Sequence, residues 1–174
     1  KKENNWERPG ESNKINFKPI SSITSNQDVI RFFILDDEDM NIELLTTFLK
    51  KFLRDNKKLK MKRFEIESES RFQKGFERIR TTAEQSLTYS LVFTDYHLDG
   101  DFTGIMFISE VIRIYKDKGL EIPKFILVSG EQPSKSEEKL FFTCFRKPFG
   151  YNFFSESMNK WLSKMENEDA GVLI

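Results

Sequence analysis

The chain has 174 residues, 38% of them hydrophobic and 32% charged, with 28 basic residues against 28 acidic ones. That is room for one domain with a proper core and too little for two. The balanced charge gives no reason to expect a nucleic-acid or anionic membrane surface to dominate binding.

Cys144 is the single cysteine, so no internal disulfide forms and a reducing compartment is expected. No run of roughly 18 apolar residues exists to span a bilayer. Lys1 and Lys2 are followed by Glu-Asn-Asn, not by the apolar stretch of a signal peptide. A start at Lys1 in place of Met reads as a piece excised from a longer polypeptide. Residues 1–28 are rich in Asn, Ser and Lys, with Pro9 and Pro19. This composition predicts a linker, with Trp6, Phe17 and Ile20 as the residues able to dock on the body.

From Val29 the pattern changes. Val29 to Leu35 is an apolar run ending in Asp36-Asp37-Glu38-Asp39, as expected of a buried strand with carboxylates at its C-terminal end. Leu45, Phe48, Leu49 and Phe52 place a helix over 39–54. The basic stretch Lys57 to Arg63 reads as a solvated loop. Lys62 to Ser68 predicts the second strand, and Phe72, Phe76 and Ile79 a helix over 69–86. Tyr89 to Thr94 is the third strand, stopping at Asp95.

A helix over 103–118 carries Ile105, Ile108, Val111, Ile112 and Tyr115. Lys124 to Val128 is the fourth strand, ending at Ser129-Gly130. A short helix is expected over 133–139 and a last strand over Leu140 to Arg146, stopped by Lys147-Pro148. Phe154, Met158, Trp161 and Met165 set a final helix over 150–165, their spacing being that of core packing. Five strands alternating with five helices predict a doubly wound parallel sheet with right-handed crossovers. Ligands of such sheets bind outside the strands' C-terminal ends.

Those ends carry compatible chemistry. Asp36, Asp37 and Asp95 would repel one another by several kcal/mol in a partly dry site, roughly, unless a cation lay among them. Oxygen ligands without a His or Cys cluster favour Mg²⁺, with Mn²⁺ as the alternative. A carboxylate can act as a nucleophile and form an acyl phosphate. Lys147 offers positive charge, and the Ser129 hydroxyl a hydrogen bond, for phosphoryl oxygens. Proline after Lys147 favours a cis peptide that aims the lysine inward.

Leu35-Asp36-Asp37-Glu38-Asp39-Met40-Asn41 resembles the first-strand motif of response-regulator receivers, in the form common in hybrid sensor kinases. Asp95, Ser129-Gly130 and Lys147-Pro148-Phe149 complete that family's set in order, and the resemblance covers residues 29–166. It implies a flavodoxin-like fold of strand order 2-1-3-4-5, an arrangement for which a chemotaxis receiver is a known example. It implies Asp95 as phosphoacceptor, Asp37 and Asp95 as direct metal ligands, and Asp36 acting through metal-bound water. The backbone carbonyl of His97 matches a further metal ligand, and Ser129 and Lys147 match the phosphoryl-contacting switch residues. The implied partner is a histidine kinase or a histidine phosphotransfer protein. No nucleic acid and no membrane contact by this segment are expected, and a monomer is. Such a domain catalyses its own phosphorylation and dephosphorylation and has no separate substrate. The expected organisation is a linker (1–28), a receiver (29–166) and a tail (167–174), as the last domain of a cytoplasmic or membrane-anchored hybrid histidine kinase.

Several positions depart from the family. The segment Tyr96 to Gly104 lacks the usual Met-Pro turn and is one residue longer. Thr103-Gly104 stands in for Asp-Gly, with Thr103 capping the next helix, and Asp99 and Asp101 read as solvated turn residues. The family's aromatic switch position is Cys144, a structural thiol that cannot swing as a ring does; Phe142 and Phe145 are the candidate substitutes. His97 follows a strand, which disfavours a phosphohistidine role. His97 and Glu131 face the phosphoryl site, where they can affect phosphate lifetime. Two other classes compete. One is a degenerate receiver acting only as a protein-binding module. The other is a haloacid-dehalogenase-like phosphohydrolase, which needs an Asp where His97 stands and a cap domain.

Overall fold

The computed structural model describes residues 29–170, with side chains to 167; the expected linker and its Trp6, Phe17 and Ile20 lie outside the described residues. Five strands form one parallel sheet: β1 (Val29–Leu35), β2 (Arg63–Glu69), β3 (Leu91–Thr94), β4 (Lys124–Ser129) and β5 (Thr143–Arg146). Their order is β2-β1-β3-β4-β5. Four helices connect and follow them: α1 (Asp39–Asp55), α2 (Phe72–Glu84), α3 (Gly104–Asp117) and α4 (Tyr151–Ala170).

The expected fold is present, with one helix fewer than the five expected. Between β4 and β5 only a 3₁₀ turn forms, at Glu138–Leu140. The segment Glu131 to Lys139 holds Pro133 and no apolar periodicity, so a helix there has no face to bury, and packing is what stabilises most helices. Strand and helix ends match expectation or differ from it by at most three residues, except that α4 runs five residues past 165, to Ala170.

The central strands are buried on both faces, which is why they are mostly apolar. Alternate residues feed two cores. Ile30, Phe32, Ile34, Leu91 and Phe93 pack with Leu45, Leu49 and Phe52 of α1 and Phe154, Met158 and Trp161 of α4. Phe33, Leu35 and Val92 pack with Phe72 and Ile79 of α2 and Phe107, Ile108 and Val111 of α3. Each such side chain contributes about 1.5–3 kcal/mol by leaving water.

The edge strand β2 is different. Its Phe64 and Ile66 pack against the first core, while Glu65, Glu67 and Glu69 alternate with them. Glu65 accepts a 2.7 Å hydrogen bond from Nε of Arg31, a buried arginine inside β1. Arg78 of α2 pairs with Glu67 at 3.2 Å and Glu69 at 3.9 Å. Among the described residues, no helix is long and apolar enough to cross a membrane.

Candidate functional site

The parallel register brings the C-terminal ends of β1, β3, β4 and β5 to one edge of the sheet. Leu35 pairs with Thr94, Thr94 with Leu127, and Ser129 with Arg146. The next residue along β1 is Asp36, along β3 Asp95, and along β5 Lys147. The main chain locks these loops together: Asp95 N–H donates to Leu35 O at 3.0 Å and Lys147 N–H to Ser129 O at 2.8 Å. The Lys147-Pro148 peptide is cis.

Asp36, Asp37 and Asp95 each offer one carboxylate oxygen, all within 4.8 Å of one another. Asp36 is 1% exposed, and its Oδ1 accepts from Glu38 N–H and from Asn41 Nδ2, both at 3.0 Å. Asn41 also donates to Glu38 Oε2 at 3.0 Å. The Lys147 ammonium lies between the other oxygens, 2.9 Å from Asp36 Oδ2 and 2.7 Å from Asp95 Oδ2. Asp95 Oδ1 accepts from the backbone N–H of Tyr96. Asp37 is the exposed member of the group. Ser129 is 2% exposed, and its Oγ accepts from Glu131 N–H at 3.0 Å, which leaves its own hydroxyl proton to donate.

Burial pushes the Asp95 carboxyl above its ordinary range; the hydrogen bond and charge of Lys147 pull it back, and the Asp36 charge adds to the rise. For Lys147, burial acts to lower the pKa, but its bonds to Asp95 and Asp36 outweigh burial and the net shift is upward. One ammonium facing two carboxylates gains more than burial takes. One of two carboxylates sharing an ammonium does not.

A single positive charge therefore stands against three negative ones. The donor set is all oxygen, partly buried, with one exposed member giving access. It fits a hard divalent cation of the Mg²⁺ kind. The His97 side chain is not in this cluster. His97 and Thr103 form an isolated antiparallel bridge whose hydrogen bonds run from Gly104 N–H to Tyr96 O and from Leu98 N–H to Phe102 O. The His97 carbonyl is left out of both.

The loop after Asp95 is more built than its sequence suggested. Thr103 caps α3 as expected, its Oγ1 accepting from Met106 N–H at 3.3 Å. Asp99 is not a solvated turn residue: its Oδ1 accepts from Phe72 N–H at 2.8 Å, supplying the N-terminal cap that Arg71 lacks on α2. A side chain reaching a helix from another loop leaves no local signature. Phe102 stacks on Phe72 with ring centroids 4.1 Å apart, and Leu98 is buried. Asp101 is exposed, as expected. Gly104 abuts the site, since a Cβ there would run into the carbonyl oxygen of Asp95.

His97 and Glu131 do meet, with Nε2 and Oε2 3.2 Å apart, both largely exposed. Cys144 is half-buried and packs against the α2/α3 core, while Phe145 is buried in the other core and Phe142 packs at its margin.

No protein-family model and no curated protein matches the sequence. Solved structures do match the shape. The chain is similar to the receiver domain of the histidine kinase CKI1 from Arabidopsis thaliana, crystallised with Mg²⁺ and BeF₃⁻. That match has TM-score 0.57 and 18% identity over 77% of this chain and 90% of that one. The fold is that of the CheY-like receivers. A CheY-like receiver from Methylobacillus flagellatus matches at TM-score 0.55 and 17% identity, over 76% of this chain and 98% of that one. The regulatory domain of mrkE from Klebsiella pneumoniae matches at TM-score 0.60 and 13% identity, over 79% and 99%.

Proposed function

We propose that residues 29–166 are a phosphoacceptor receiver, in which Asp95 takes a phosphoryl group from the phosphohistidine of a histidine kinase or a histidine phosphotransfer protein. The observation that carries this reading is the meeting of Asp36, Asp37, Asp95 and Lys147 at one sheet edge, with Ser129 beside them. A carboxylate oxygen of Asp95 bonds to phosphorus as the P–N bond to the donor imidazole breaks. The electron pair returns to that nitrogen, which takes a proton from water. Lys147 holds the acceptor carboxylate in place beforehand and meets the phosphoryl oxygens afterwards, and the Ser129 hydroxyl donates to them. Asp37 and Asp95 would hold the Mg²⁺, with the His97 carbonyl, and Asp36 would act through its water. A cation bound there offsets the charge of the carboxylates and of the incoming phosphoryl group.

The motif around Asp36 favours the receiver of a hybrid histidine kinase in the cytoplasm as the parent context, with a protein contact, an onward relay step or a further domain as output. Incubation of the chain with acetyl phosphate and Mg²⁺ is expected to add the mass of one phosphoryl group, and Asp95→Asn to abolish the gain. No gain would leave the protein-binding module. Turnover of a small phosphomonoester would instead point to the hydrolase.

A further inference from the structure

Tyr96 follows Asp95 directly and reaches two places. Its backbone N–H donates to Asp95 Oδ1, and its phenol donates to Glu137 Oε1 at 3.1 Å. Glu137 is itself half of a capping box: its Oε2 accepts from Ser134 N–H at 2.8 Å, and Ser134 Oγ accepts from Glu137 N–H at 3.4 Å. That box, with Glu138 N–H donating to Ser134 O at 2.9 Å, holds the turn at Glu138–Leu140 that replaces a fourth crossover helix. One residue thus touches the acceptor carboxylate with its main chain and the β4–β5 connection with its side chain.

We propose that Tyr96 is a positioning residue that carries the phosphorylation state of Asp95 to the β4–β5 connection through its hydrogen bond to Glu137. The inference rests on the phosphoacceptor reading above. As a carboxylate, Asp95 presents negative charge to Tyr96 N–H through Oδ1 and to Lys147 through Oδ2. In the acyl phosphate that charge has moved onto the phosphoryl oxygens, and the remaining carbonyl is a weaker acceptor. The Tyr96 main chain then gives up its charged partner, and the phenol moves with it. A shift of about half an ångström takes a bond of this length out of hydrogen-bonding range. Glu137 is released, and the turn it caps loosens. The route needs no aromatic ring at position 144, where this chain has a thiol.

The test is amide hydrogen exchange over residues 131–141 in the full 174-residue chain, before and after phosphorylation by acetyl phosphate with Mg²⁺, with occupancy followed by intact mass. Phosphorylation of the wild type is expected to speed exchange at 134–140 by about three-fold or more, as expected for local opening. Tyr96→Phe and Glu137→Ala are expected to take up phosphate, start at the faster rate and show no further change. Glu131→Ala, which removes the other side-chain link between the same loops, keeps the response. A Tyr96→Phe protein responding like the wild type overturns the relay, as does loss of the response in Glu131→Ala. If Tyr96→Phe does not fold, Glu137→Ala decides alone by the same criterion. Wild type that takes phosphate with unchanged exchange overturns the relay only, whereas wild type that takes none overturns the phosphoacceptor reading with it.

Discussion

Lys147 carries more of the site's stability than any other single side chain, because it answers two partly or fully buried carboxylates. Removing one member of such a group costs about 3 kcal/mol or more, since the partners stay buried without compensation. Lys147→Met in the metal-free protein is expected to lose that much by urea denaturation; a loss below 1 kcal/mol, roughly what an exposed pair is worth, would show the carboxylates to be well hydrated. Asp95 acts in the opposite sense. Its folded pKa lies above the ordinary carboxyl value because of burial, so the native state binds its proton more tightly than the unfolded state does. The contribution of Asp95 to stability is complete below the ordinary value of about 4 and is lost as pH rises through the raised one. Metal-free Asp95→Asn, which has no such ionisation, is therefore expected to melt no lower than wild type at pH 7 and to lose the decline across that window. A lower melting temperature for the variant at pH 7 would contradict the upward shift.

At the scale of elements, the loop between β3 and α3 separates what the sequence reveals from what it hides. The central strands β1, β3 and β4 were legible because burial on both faces demands continuous apolar runs, and each of those runs ended on or beside a residue of the site. Thr103 was legible too, because a helix cap is a local pattern. The cap from Asp99 to α2 was not, because it joins residues 27 apart. Nor was the shortfall of a helix between β4 and β5, whose spacing allowed a short one but gave it no apolar face. Asp99→Ala is expected to cost about 1 kcal/mol, the usual worth of an N-cap, and to leave phosphate uptake intact. Gly104→Ala is expected to cost about 2 kcal/mol by overpacking and to slow phosphate uptake, because the added methyl group displaces the main chain of Asp95 itself. Calorimetry paired with intact-mass kinetics distinguishes the two.

For the molecule as a whole, the site is a place where the fold spends stability. Two carboxylates share one ammonium with a third carboxylate close by, and the Asp95 carboxyl resists ionisation. A ligand that binds only the folded state returns stability by mass action, about 2.7 kcal/mol at a hundred times its dissociation constant. Mg²⁺ at that level is expected to raise the melting temperature by about 5–10 °C for a chain of this size. Asp37→Asn, which removes the exposed carboxylate without touching the Lys147 pairs, is expected to abolish most of that rise.

The carboxylates on β2 bear on a different matter, the company the protein keeps. A strand at the end of a sheet is a template on which a second chain can add. Were another copy to align along β2, glutamates repeated at every second position would be set against glutamates. Like charges directly opposite one another are destabilising, and Arg31 of β1 and Arg78 of α2 are already paired with the β2 acids of their own chain. The row that looks like an ordinary polar face therefore also caps the sheet, so that fibre-like stacking of copies has no easy beginning there.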